Sequence, residues 1–278
     1  MHGLIESAKR QVRIGRYIAG GRKPWAIGYA EYKNRALRRI LRDESLLDRF
    51  RRRAALPDGY GSRLDERLVE YPWLVARLGV AAGRLLDAGS TLNDREVLAL
   101  PALRARSVVI SNLTEEPVIL GEHVSYVRGD LRLASFRDGC FDEVACISVL
   151  EHIGMNNTFI YSPDSRRNES RPQDYVKAVR ELKRVLKPRG RLLLTVPYGR
   201  YENHEWLQQF DRDHIRAVCD TFDGTACNVD YYKYAGSWQI ADESACTESR
   251  YFDIHRRGAL EPDYVAAARA VACVELVH

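Results

Sequence analysis

The chain has two textures. Over its first seventy residues, apolar positions recur at helical spacing: Ala36, Leu37, Ile40, Leu41, Leu46, Leu47 and Phe50 form a stripe among arginines, which predicts a helix over Tyr32 to Phe50. Pro57, Gly59 and Gly61 break the chain before a second helix-like segment, Leu64 to Leu78. From Arg84 onward, short apolar runs that end in turn residues alternate with helix-length polar stretches, as a parallel sheet with crossover helices requires. The predicted strands are Arg84 to Asp87, Ser107 to Ser111, Val124 to Gly129, Phe141 to Ile147 and Arg191 to Pro197. Between the last two, Gln173 to Leu186 carries Val176, Val179, Leu182, Val185 and Leu186 at helical spacing, and Lys187-Pro188-Arg189-Gly190 closes it. The tail adds strand candidates around Asp230 to Ala235 and Val271 to Val277, with a helix-like stretch at Glu261 to Ala270.

Composition changes this picture little. At 278 residues and 45% hydrophobic, the chain is too apolar to be disordered and long enough for one α/β domain with an appendage. Apolar runs such as Val144 to Ile147 or Leu192 to Val196 are strand length, far short of the roughly 18 residues of a membrane span. Met1 to Arg10 has no secretory pattern, so a cytoplasmic protein is expected. Six cysteines are scattered without a close pair, which argues against a zinc knuckle and favours buried thiols.

Charge adds more. Met1 to Arg53 holds fifteen Lys or Arg against five Asp or Glu, while the whole chain carries only +5. Such an arm could attract nucleic acid, an anionic membrane surface or a phosphorylated substrate, or be a solvated helix surface.

The candidate chemistry sits where strands end. Leu85-Leu86-Asp87-Ala88-Gly89-Ser90 places a glycine after the first strand, leaving room for a ligand at the carboxyl edge of the sheet. Gly129-Asp130 ends the third strand, Leu150-Glu151-His152 follows the fourth, and a Lys-Pro-x-Gly turn feeds the fifth.

In this order, Phe141-Asp142-Glu143-Val144-Ala145-Cys146-Ile147-Ser148-Val149-Leu150-Glu151-His152 and the segment Glu181 to Gly199 resemble the class I S-adenosylmethionine-dependent methyltransferases, over Arg84 to Gly199. The resemblance implies an α/β Rossmann-like fold: a seven-stranded, mostly parallel sheet with an antiparallel last strand, plus an N-terminal helical arm. The arm or lid would take residues 1–78 and the catalytic core residues 79–278. It implies S-adenosylmethionine as cofactor, with Asp87, Ala88, Gly89 and Ser90 at its methionine end, Asp130 and Leu131 at adenine, and Ser148 beside the sulfonium. Two departures stand out. Gly89 is followed by Ser90-Thr91-Leu92-Asn93 rather than further glycines, and the second strand ends without the acid that holds the ribose, offering Ser111, Asn112 and Thr114, of which Asn112 is the candidate.

The loop after the fifth strand, Val196 to Trp206, should face the acceptor. Methyl transfer needs alignment and a base, and histidine suits that task near neutral pH. His204 is the first candidate for general base and His152 the second, with Glu151 as an orienting group. Asp211, Asp213 and His214 read as a helix cap rather than a metal site, and no metal is expected. Lys23-Pro24-Trp25-Ala26-Ile27-Gly28-Tyr29 with Tyr32-Lys33, and Tyr231-Tyr232-Lys233-Tyr234 with Trp238 and Cys246, are similar to methyltransferases of bacterial surface-glycan biosynthesis; these rings either stack on a sugar or knit the arm onto the core.

The expected function is O-methylation of a sugar, glycan or small metabolite, phosphorylated acceptors included. Homo-oligomerisation is open. Nucleic-acid methylation lacks the Asn-Pro-Pro-Tyr and Pro-Cys signatures, and a non-catalytic scaffold with a degenerate cofactor site is the remaining alternative.

Overall fold

A computed structural model describes residues 2–79, 82–117, 119, 121–159 and 164–278. The N-terminal arm is built from helices α1 (His2–Ala19), α2 (Tyr29–Ile40), α3 (Glu44–Arg52) and α4 (Arg67–Leu78). The single helix expected over Tyr32 to Phe50 is two, because the Asp43 side chain accepts hydrogen bonds from the backbone N–H groups of Ser45 and Leu46 and starts a new helix there.

Then follow β1 (Gly83–Ala88), short helices α5 (Arg95–Leu98) and α6 (Pro101–Arg104), β2 (Arg106–Asn112), β3 (Val124–Arg128), β4 (Phe141–Ile147), α7 (Tyr175–Val185), β5 (Leu186–Pro197), the small ladder β6 (Glu202–Asn203) and β7 (Gln208–Gln209), α8 (Arg212–Phe222), β8 (Ala226–Tyr234), β9 (Trp238–Ala241), α9 (Glu243–Cys246) and β10 (Ala270–Val277). Among the described residues the main sheet has eight strands in the order β3-β2-β1-β4-β5-β10-β8-β9. The first five are parallel, while β10 runs antiparallel to both β5 and β8. The expected antiparallel last strand is therefore present. The strand beyond the expected seven is β9, turned back onto β8 through Gly236 at φ +80°.

The sheet is covered on both faces. Leu68, Trp73 and Leu74 of α4 share one apolar core with Leu85, Val108 and Ala145 of the sheet and with Phe50 of α3, so the arm continues the core. Val179 and Leu182 of α7 and Val218 of α8 pack with Leu86, Val144 and Leu194 in a second apolar cluster. Arg106 ties strands together from inside, donating to Glu143 and to the backbone carbonyls of Leu78 and Ala102.

Two expectations need correction. Glu261 to Ala270 is not a helix: Tyr264 takes φ +54°, and Phe252 N–H and the Trp25 indole bond to the carbonyls of Ala267 and Ala266. Nor are all cysteines thiols, since Cys219 in α8 and Cys227 in β8 form a disulfide. Among the described residues no helix is long and apolar enough to cross a membrane.

Candidate functional site

The carboxyl ends of β1, β2 and β4 open into a cavity of about 610 Å³. Its first wall is the turn after β1. Asp87 is buried and accepts from the N–H groups of Thr91 and Leu92, folding the chain back over itself, and burial pushes its carboxyl up to about 7. Gly89, at φ +115°, lines the cavity; a Cβ there would strike the Val149 side chain. Ser90 takes the left-handed conformation, φ +63°, that a second glycine would supply, and its hydroxyl is buried without a partner among the described residues. Asp87 and Ala88, expected at the methionine end, do not line the cavity: both are fully buried, and Asp87 shapes the loop instead.

The second wall follows β2 and β3. Asn112 lines the cavity and donates its amide to Glu116 Oε1 at 3.1 Å, so the carboxylate paired with this strand end comes from the loop four residues on. Asp130 and Leu131 line it too. Asp130 caps the turn Leu131–Leu133 and chelates Arg132 through both oxygens; burial works against its charge, yet those Arg132 hydrogen bonds hold it below the usual carboxylate range. Arg132 also binds Glu169 and Asp174.

The third wall follows β4. Ser148 stands at φ +53° and donates its hydroxyl to Glu151 Oε1 at 2.6 Å. Glu151 is buried behind it with Oε2 unpartnered among the described residues, and burial pushes its carboxyl up to about 8. His152 lines the cavity; its Nδ1 is 3.0 Å from the carbonyl of Trp206, and burial pulls its pKa down to about 4.

Of the expected residues, then, the structure gathers Gly89, Ser90, Asn112, Asp130, Leu131, Ser148 and His152 around one cavity. His204 is not among them. It is buried beside Asp253 (3.3 Å) and Glu202 (3.5 Å), against Tyr251, because the β6–β7 hairpin turns it away from the sheet edge. Asp211 caps α8 and accepts from His214, whereas the flanking aromatics are spent on the fold: Trp238 donates to the Leu64 carbonyl, Tyr234 to that of Asp263, and Tyr29 to Asp65. Arg67 and Tyr71 of α4 also reach the cavity, which the helical pattern of that segment gave no reason to expect.

These features fit a nucleoside with a charged tail: a cradle that only glycine leaves open, a buried hydroxyl unpartnered among the described residues, and polar strand ends Asn112 and Asp130 lining one cavity. Residues 86–194 match the family described as methyltransferase domain. No curated protein matches the sequence. Solved structures similar to this chain include the 1,6-didemethyltoxoflavin-N1-methyltransferase of Burkholderia thailandensis with 1,6-didemethyltoxoflavin and S-adenosylhomocysteine bound (16% identity, 75% of this chain and 76% of that one, TM-score 0.46). They also include a protein of Bacillus halodurans C-125 whose methyltransferase activity is an assignment (14%, 75% and 98%, 0.47) and the cyclase SpnF (17%, 84% and 91%, 0.44). At these identities and scores the likeness says nothing of the substrate. The match identifies a methyltransferase domain at residues 86–194.

Proposed function

We propose that this protein is an S-adenosylmethionine-dependent methyltransferase that methylates an oxygen of a sugar, a glycan end or a related small polar metabolite, with His152 as general base. The observation that carries the reading is the contact of His152 Nδ1 with the Trp206 carbonyl at 3.0 Å, made by a ring that lines the cavity. A backbone carbonyl only accepts, so the contact with Trp206 O fixes a proton on Nδ1 and leaves the ring's lone pair on Nε2. With its pKa pulled down to about 4, the ring is neutral near pH 7, so that lone pair is not already protonated, although the ring is a weaker base than an ordinary imidazole.

The cofactor supplies a methyl carbon already activated by its sulfonium. What the residues add is placement. Gly89 and Ser90 would hold the methionine end, Asn112 the ribose, Asp130 and Leu131 the adenine, and Ser148 would border the sulfur, fixed there by Glu151. His152 lines the same cavity as Ser148. Orientation of this kind, with no proton to move on the cofactor side, leaves deprotonation of the acceptor as the step for a side chain. A polynucleotide acceptor is supported less, because Arg13, Arg42, Arg51 and Arg52 of the basic arm are each paired with a carboxylate.

The test is methyl transfer to a panel of free sugars, nucleotide-sugars, oligosaccharides and short RNA, read by mass spectrometry. A methyl ether on a hydroxylated acceptor is expected, with kcat lowered by about 10² to 10⁴ in His152→Asn. Product on RNA alone, or full activity in the variant, would overturn the reading.

A further inference from the structure

The carbonyl that takes the His152 proton is itself held from far along the chain. Trp206 lies in the turn between β6 and β7, and its backbone oxygen is 3.0 Å from His152 Nδ1. The two rings also meet, with centroids 5.5 Å apart and planes inclined by 30°. Only two residue pairs close this hairpin, Glu202 with Gln209 and Asn203 with Gln208. A ladder that short has little stability of its own, so the place of the Trp206 carbonyl depends on what grips the turn from outside.

The grip is Asp253, in the loop between α9 and β10. Its side chain is 2% exposed; Oδ2 accepts from the Trp206 indole N–H at 3.1 Å and Oδ1 from the backbone N–H of His255 at 2.9 Å. Oδ2 also lies 3.3 Å from His204 Nδ1, so the two histidines singled out in the sequence are joined through Asp253 and Trp206. Two further links tie the same loop to the hairpin. Arg256 Nη2 donates to the His204 carbonyl at 2.8 Å, and the N–H of Tyr251 donates to Glu202 Oε2 at 3.1 Å. A buried carboxylate is costly to desolvate and a poor device for stability alone; what it adds here is a fixed direction for the indole N–H.

We propose that Asp253 is a positioning residue for the base: through the Trp206 indole it holds the β6–β7 turn where the Trp206 carbonyl keeps the His152 proton on Nδ1. The proposal rests on the reading of His152 as general base. Three steps carry the effect, from carboxylate to indole, from indole to its own backbone, and from carbonyl to Nδ1. Without that acceptor in place a neutral imidazole shares its proton between its two nitrogens, and the form with the proton on Nε2 has no lone pair there to take another. Asp253 thus acts on the base without touching cofactor or acceptor.

Nitrogen NMR of the full chain, isotopically labelled in its histidine rings, reads the tautomer directly near pH 7, where the His152 ring is neutral. His152→Asn identifies the signal among the seven histidines. Trp206→Phe keeps the backbone carbonyl and an aromatic ring but removes the indole N–H. Because it leaves Asp253 short of a donor, Trp206→Phe/Asp253→Asn is measured alongside, with a thermal melt to show that it folds. The parent should show His152 as the Nδ1–H tautomer, and both variants a mixture with Nε2–H, while S-adenosylhomocysteine binds as tightly as before. On any acceptor that the parent methylates, kcat should fall about tenfold or more at unchanged KM, the part of general-base catalysis that depends on the tautomer. A parent with its proton on Nε2, or folded variants that keep the Nδ1–H tautomer alone, would overturn the proposal. The spectra need no acceptor and no turnover, so failure of the O-methylation reading is told apart from failure of this one.

Discussion

Gly89 and Val149 share one space: the loop after β1 and the loop after β4 approach so closely that a Cβ on Gly89 would run into Val149 Cγ2. The same glycine sits at φ +115°, which an L side chain rarely adopts.

Gly89→Ala therefore carries a steric and a conformational cost together, of about 1–3 kcal/mol. A lower melting temperature and loss of S-adenosylhomocysteine binding are expected. Val149→Ala in the same chain relieves the clash and not the φ cost, so it should restore stability only in part; full restoration would show that the backbone is not strained at this position.

Glu151 gives a pH signature. Burial raises its carboxyl from 4.5 to about 8, so between those values the folded state keeps a proton that the unfolded chain gives up. Stability present below pH 4.5 is thus lost as pH rises toward 8. Asp87, raised from 3.8 to about 7, acts in the same sense. His152, lowered from 6.5 to about 4, acts oppositely, since its stability is present above pH 6.5 and lost as pH falls toward 4. In Glu151→Gln the amide replaces the protonated acid. Its advantage over the parent should grow between pH 6.5 and 8 by at most about 1.4 kcal/mol per pH unit. Denaturant melts at several pH values measure this, and parallel curves for the two proteins would refute it.

Asp130 has two tasks, capping Leu131–Leu133 and holding Arg132. Asp130→Ala should weaken S-adenosylhomocysteine binding at least about tenfold, the scale of one lost hydrogen bond to a charged group. Asp130→Asn can still accept from Arg132 and cap the turn, so it should retain more affinity than Asp130→Ala. Equal affinity in both variants and the parent, by calorimetry, would remove Asp130 from the cofactor site.

The Arg106–Glu143 pair is buried, with Arg106 2% exposed, and Arg106 also serves the carbonyls of Leu78 and Ala102. Arg106→Ala leaves all of these short of a donor, although Arg191 still reaches Glu143. A loss of about 3–5 kcal/mol is expected in urea unfolding, as for a buried pair deprived of one partner. A loss below 1 kcal/mol would mean that water replaces the guanidinium.

How much of this was legible in the chain follows the range of the forces involved. Apolar runs of period two and stripes of period 3.6 are local, so β1 to β5, β8, β10 and α7 could be read from them, and glycine or aspartate at a strand's end marks a ligand-facing edge because strand ends of a parallel sheet converge there. Those local signals marked Gly89, Ser90, Asp130 and His152 as residues at strand ends, and the resemblance to the methyltransferases implied Asn112 and Ser148. Whether an edge residue turns inward is decided by contacts far away in sequence. Asp87 went to the loop backbone once Thr91 and Leu92 folded over it, His204 was carried off by the β6–β7 hairpin toward Asp253, and Arg67 entered the cavity only because α4 packs on the sheet face that also buries Glu70 against Thr195. Periodicity names the face of an element; the packing of distant elements chooses what that face meets.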